Sequence, residues 1–188
     1  MISYILAAIT GVLVLVADQF SKYWILNYYS VNGLRVEEDS FALIPGIFNI
    51  YCTNNSGAAW SMFAGHTWFL LSVTIVVMLV CIALLLKYGV KDKLMFWAMM
   101  LVLSGGLGNM IDRIFRGGEV IDFIQLDFWK SYPIFNFADC AIVIGACLLL
   151  LYFLKDIVKD MRSKQAVAIA RAVEHQKENQ ETQQDENV

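Results

Sequence analysis

Histidine is nearly missing from this chain. His66 and His175 stand apart, one at a boundary and one in the tail, so neither a metal centre nor a nucleophile-base pair built on histidine is expected. A serine hydrolase is disfavoured on the same ground. The four cysteines, Cys52, Cys81, Cys140 and Cys147, form no CxxC pair and have no histidine at ligand spacing. Cys81 and Cys147 read as small apolar packers, while Cys52 and Cys140 both fall near the outer face and could meet, although a disulfide is not the favoured outcome. Charge is scarce as well: 16% of 188 residues are charged against 59% hydrophobic, an imbalance that argues against a soluble domain of this size. The net charge of −3 gives no sign of a nucleic-acid partner. No repeat of solenoid period is present.

What fills the chain instead is apolar sequence in runs of bilayer length. Four spans are expected, at about 2–24, 67–86, 94–111 and 134–154, and the second carries no charge at all. The first has the length of a secretory signal. It lacks a basic start and a small-residue cleavage site and runs into Asp18 and Lys22, so it is read as a retained helix. The fold class expected is therefore an all-α membrane protein. Its 1–160 part is read as one transmembrane bundle, and 161–188 as a polar, flexible tail that begins helix-prone and ends rich in Gln and Glu.

Basic residues give the orientation. Lys87, Lys91 and Lys93 crowd the second connection, and Lys155, Lys159, Arg162 and Lys164 follow the fourth span; both segments are expected inside, with both termini. The connections 25–66 and 112–133 then lie outside. Trp24, Trp60, Trp68 and Trp129 fall in or beside them, as amphipathic rings at an interface do. Within the first of these, "IFNIYCT" and its turn formers predict a small strand element beside the membrane.

The informative residues are polar groups set in or against apolar sequence: Asp18, Lys22, Asn54, Asn55, Asn109, Asp112, Arg113, Asp122, Asn136 and Asp139. Such groups are costly in hydrocarbon and face a protein interior or a wet cavity. Asp18 and Lys22 are four apart with the acid first, which suits a helical ion pair, structural or close to a site. Gly105, Asn109 and Arg113 share a face at i, i+4 and i+8, and Gly105 and Gly108 permit close helix approach. Asp122 lies in "EVIDFI", which returns towards the membrane, and Asp139 lies in the first turn of the fourth span. If both enter one cleft, their carboxylates share a proton and supply an acid and a base for peptide hydrolysis. Helix capping by Asn136 and Asp139 is the other reading of the same residues.

Five blocks decide between them by resemblance. "DQFSK" at 18–22, "NNSGAAWSMF" at 54–63, "SGGLGNMIDRI" at 104–114, "GEVIDFI" at 118–124 and "FNFADCAIVIG" at 135–145 resemble, in order, those of the lipoprotein signal peptidases, or signal peptidase II, of bacterial inner membranes. The resemblance covers roughly residues 10–157. It implies a four-helix membrane aspartyl endopeptidase that cleaves prolipoproteins before a diacylglyceryl-modified cysteine and uses no metal or cofactor. The catalytic acids it implies are Asp122 and Asp139. The substrate-binding or supporting positions are Asp18, Lys22, Asn55, Gly57, Gly105, Gly108, Asn109, Asp112, Arg113 and Asn136. The interval "DRIFRGGEVID" carries one residue more than the family's, among Arg116, Gly117 and Gly118. The partners implied are prolipoproteins and membrane lipid; no oligomer is implied. The alternative from another class is a small transport or assembly bundle whose acids bind Arg113 or relay protons.

Overall fold

In the computed structural model, residues 2–88 and 92–185 are described, so Lys91 of the basic connection lies outside the described residues. In chain order the elements are α1 (Ile2–Val31), β1 (Ser40–Ile44), β2 (Phe48–Asn55), a short 3-10 turn (Ala59–Ser61), α2 (Thr67–Tyr88), α3 (Lys93–Phe115), β3 (Val120–Leu126) and α4 (Phe137–Asp185). Four helices are long and apolar enough to cross a membrane. The architecture is that of an all-α membrane protein with a small β element.

α3 is the helix around which the others are built. Half of its span window is buried, against 17% for each of the other three, and it packs on α1 and α2. Its start is fixed by Asp92, whose side chain accepts from the Leu94 and Met95 N–H groups at 2.7 and 3.2 Å. Its small residues let α4 approach closely: a Cβ on Gly105 would overlap the Ala138 carbonyl oxygen, and one on Gly145 of α4 would lie 2.7 Å from the Ala98 oxygen. The opposite surfaces are greasy. Ile5, Leu6, Ile9, Val12, Leu13, Val16 and Phe20 of α1 are all exposed, as a hydrocarbon solvent requires and water would penalise.

The strands form one antiparallel sheet in the order β1-β2-β3. The sequence pattern anticipates β2 and misses β3. Ile25 and Tyr29 of α1 pack with Ile50 and Cys52 of β2 and Ile121 and Phe123 of β3, which plants the sheet on the end of α1. Tyr29 secures it further, its hydroxyl donating to the Asp39 oxygen at 2.9 Å and accepting from the Cys52 N–H at 3.0 Å. All four cysteines are free thiols. Burial pushes the Cys52 thiol up to about 11, with nearby Asp122 the next contributor, so it stays protonated.

α1 runs seven residues beyond the expected end of its span, and α4 stays helical to Asp185. No glycine or proline follows Gly145 to interrupt it. The chain divides into two packed units, Met1–Leu149 and Leu150–Val188. Everything described below belongs to the first.

Candidate active site

β3 connects α3 to the segment before α4, and its pleat sorts its side chains. Successive residues point to opposite faces, so Ile121 and Phe123 enter the apolar core while Val120 and Asp122 line a cavity. Asp139 reaches the same cavity from the first turn of α4. The cavity encloses about 380 Å³. Its walls are polar at Asn55, Asn109 and Arg113 and apolar at Val77, Met78 and Ile142, so it joins a hydrophilic mouth to a greasy interior between helices. Trp60 and Tyr132 border it with their rings edge to face, centroids 6.2 Å apart.

Asn136 joins the two acids. Its Nδ2 donates to Asp122 Oδ1 at 2.6 Å, and its backbone N–H donates to Asp139 Oδ2 at 3.1 Å. Its Oδ1 accepts the Asp139 N–H at 2.9 Å, which makes Asn136 and Asp139 a reciprocal capping box on α4. Capping and a shared carboxylate site are thus one arrangement. Each remaining carboxylate oxygen also receives a donor: Asn55 Nδ2 reaches Asp122 Oδ2 at 2.9 Å, and Asn109 Nδ2 reaches Asp139 Oδ1 at 2.8 Å. Asp122 is buried and titrates at about 7. Burial raises it first and the Asp139 charge second, while the Asn55 and Asn136 donors and the Lys22 charge oppose the rise.

Behind the acids lies a buried ion cluster. Lys22 places its ammonium 2.8 Å from Asp18 Oδ2, 2.8 Å from Asp112 Oδ2 and 3.1 Å from Asn109 Oδ1, so its three hydrogens meet three acceptors at zero exposure. The expected pair of Asp18 and Lys22 is present with Asp112 as a third member. Asp18 also serves α4, where its Oδ1 accepts the Ala138 N–H at 2.9 Å and satisfies another free donor of the helix start. Arg116 Nε closes on Asp112 Oδ1 at 3.3 Å. Around the cavity four carboxylates face three cations, Lys22, Arg113 and Arg116, a set that is neutral when one proton sits on Asp122 and Asp139 together.

Close approach explains the glycines. Gly108 brings α3 so near α1 that a Cβ there would lie 2.6 Å from Asp18 Oδ2. The Gly57 N–H donates to Asn55 Oδ1 at 2.8 Å and its carbonyl accepts from Arg113 Nη2 at 2.8 Å, and a Cβ on it would strike the Met62 carbonyl oxygen at 2.7 Å. Beyond Gly57 the backbone turns sharply, with Trp60, Ser61 and Phe63 at φ of 53°, 54° and 60°. Left-handed conformations at these three non-glycine residues hold strain of about 1–3 kcal/mol each. Arg113 Nε has no hydrogen-bond partner among the described residues. In the turn at 116–118, Gly117 and Gly118 adopt φ of 65° and 100°, and the Gly118 N–H donates back to the Arg113 oxygen at 3.0 Å.

The structure therefore gathers Asp122, Asp139, Asn55, Gly57, Asn109 and Arg113 at the cavity, with Asn136 buried behind the two acids and Asp18, Lys22, Gly105, Gly108 and Asp112 bracing them. Asn54 is left out: it is exposed, with its N–H donating to Glu37 Oε1 at 3.1 Å. The sequence pattern does not single out Gln19, whose Nε2 donates to Asp18 Oδ2, the Gly108 oxygen and Asp112 Oδ1 at 3.1–3.2 Å. Its one signal was an amide beside an acid in an apolar helix. Two carboxylates held by amide donors against a water-reachable cavity can activate a water and protonate what it attacks. No His/Cys/Asp/Glu group suited to a metal ion is found among the described residues.

Known proteins are similar to this chain in sequence and in fold. The family model described as signal peptidase (SPase) II matches residues 10–155. A lipoprotein signal peptidase of Bacillus pumilus (strain SAFR-032) is 41% identical over 140 residues, covering 74% of this chain and 86% of that protein. One of Staphylococcus aureus (strain JH9) is 37% identical over 147 residues, covering 78% and 86%. Among solved structures, a bacterial membrane enzyme determined by the in meso method at 1.9 Å is 35% identical, with a TM-score of 0.68 over 83% of this chain and 95% of the other.

Proposed function

The chain belongs to the signal peptidase II family, and from that premise we propose a mechanism in which Asp122 and Asp139 are its catalytic acids. As a member it is a multi-pass bacterial membrane protease that removes signal peptides from prolipoproteins. The finer assignment is to the aspartic class, with cleavage before a diacylglyceryl-modified cysteine. Asp122 holds the resting proton and Asp139 is ionised. Water between them gives a proton to Asp139 while its oxygen bonds to the scissile carbonyl carbon, and Asp122 gives its proton to the carbonyl oxygen. Collapse of the tetrahedral intermediate breaks the C–N bond: a hydroxyl proton returns to Asp122 as the C=O re-forms, and the proton on Asp139 leaves with the amine. The pair returns to one proton.

The observation that carries this reading is the set of four N–H donors on the four carboxylate oxygens, anchored by Asn136 to both acids. That arrangement holds two acids in one cavity, where burial and the Asp139 charge favour a proton on Asp122. Arg113, tethered to the Gly57 oxygen through Nη2, lines the cavity with a buried Nε–H that has no partner among the described residues. The apolar arm of the cavity, lined by Val77, Met78 and Ile142, suits a lipid or signal-peptide side chain that stays in the bilayer. Residues 1–160 form the peptidase domain, the sheet and acids face the extracytoplasmic side, and both termini are cytoplasmic.

The test is cleavage of a diacylated precursor peptide by purified enzyme in lipid. Asp122→Asn and Asp139→Asn should each lower turnover by at least about 10²–10⁴-fold while the protein remains folded. Near-normal turnover by either folded variant would overturn the acid-pair mechanism. Equal cleavage of the unlipidated precursor would overturn lipid recognition.

A further inference from the structure

Three amides address the two acids, and each is held in one orientation by groups around it. Asn55 turns its Oδ1 to the Gly57 N–H, and Asn136 turns its Oδ1 to the Asp139 N–H, so each leaves its NH₂ for Asp122. Both locks are backbone N–H groups, which can only donate. Asn109 has no such lock, because it lies within α3, where the backbone bonds belong to the helix. Its Oδ1 faces the Lys22 ammonium at 3.1 Å and Asn136 Nδ2 at 3.1 Å, and its Nδ2 faces Asp139 Oδ1 at 2.8 Å. A flipped Asn109 would set an NH₂ against an NH₃⁺ and an oxygen against a carboxylate. Asn136 Nδ2 is a weak lock in comparison, since its two hydrogens are divided among three acceptors.

We propose that Lys22 is a positioning residue for the hydrolysis: its ammonium holds the Asn109 amide so that an N–H is always aimed at Asp139, which keeps Asp139 the ionised partner. The inference rests on the reading of Asp122 and Asp139 as the reacting acids. Lys22 is suited to the role because it cannot turn away. All three of its hydrogens are taken, it is fully buried, and Asp18 and Asp112 fix it from α1 and α3. The other charged groups around the two acids are Arg113 on α3 and Arg116 at the C-terminal cap of that helix; the α2 residues on the cavity, Val73, Thr74, Val77 and Met78, bring no charge.

Removing Lys22 alone would alter charge and orientation together, so the informative variant is Lys22→Met with Asp112→Asn, which removes one charge of each sign. The rate-pH profile of precursor cleavage is compared with that of the parent enzyme, from which the double variant differs by no net charge. The expected result is an acid limb about one pH unit higher, a tenfold change in the proton equilibrium, with kcat lowered and KM unchanged. Adding Asn109→Ala to the double variant should shift it no further, because the relay is already lost. A double variant with the parental limb, or an Asn109→Ala shift that simply adds, overturns the proposal. Should the double variant fail to fold, Asn109→Ala alone, which leaves the Lys22 ion pairs intact, must still raise the limb; a parental profile there also overturns it. Retained turnover in Asp122→Asn would sink the acid-pair reading itself, a separate result.

Discussion

Asp122 is where single-residue chemistry can be read most directly. Its folded pKa of about 7 stands above the ordinary carboxylate value of 3.8, so the folded protein binds the proton more tightly than the unfolded chain does. The contribution of Asp122 to stability is then fully present below about pH 4, declines as pH rises between about 4 and 7, and is lost above. Melting temperature in lipid should fall from pH 5 to pH 8, and Asp122→Asn should flatten that slope; a parental slope in the variant would contradict the shift. Activity should fall on the alkaline side with an apparent pKa near 7, as the pair loses its shared proton. The residues of this site were partly open to reading from sequence. Asp18 and Lys22 are four apart and so visible as a pair, but Asp112 is 90 residues from Lys22 and its partnership depends on helix packing. Gln19 went unseen because a lone amide has no spacing signature.

At the scale of elements, α3 and α4 are held by glycine contacts that admit no side chain. Gly105→Leu should force the first turn of α4 away from α3, costing at least about 1–3 kcal/mol and most of the activity. Gly11→Ala is the control, since its Cβ would find ordinary contacts from 3.5 Å. Comparable loss of melting temperature in both variants would mean that the Gly105 contact is not special. Helix existence was plain in the sequence, while helix length was not. An apolar window finds the part that matches hydrocarbon, and α1 continues as helix through Asn27, Tyr28 and Tyr29 because the sheet packs on it. β3 was hidden for a related reason: buried on both faces, "VIDF" lacks the polar-apolar alternation that marks a half-exposed strand.

For the whole molecule, composition alone pointed to a membrane protein, and the four candidate spans agree with it. Orientation has a direct test. In a background without native cysteines, an impermeant thiol reagent applied to intact cells should label Glu37→Cys and leave Lys93→Cys unlabelled until the membrane is opened. The reverse pattern would invert the assignment of faces.

The capping box has a further consequence, for tolerance to insertion. Asn136 and Asp139 are locked at a separation of three, with Ala138 pinned to Asp18 between them. One residue added within 136–139 would rotate everything after it by about 100° around the α4 axis, carrying Asp139 off the cavity. The glycine turn at 116–118 lies outside helix and strand, where an added residue would not rotate Asp122 off the cavity face. Length variation among homologous chains should therefore collect in that turn and never in the first turn of α4.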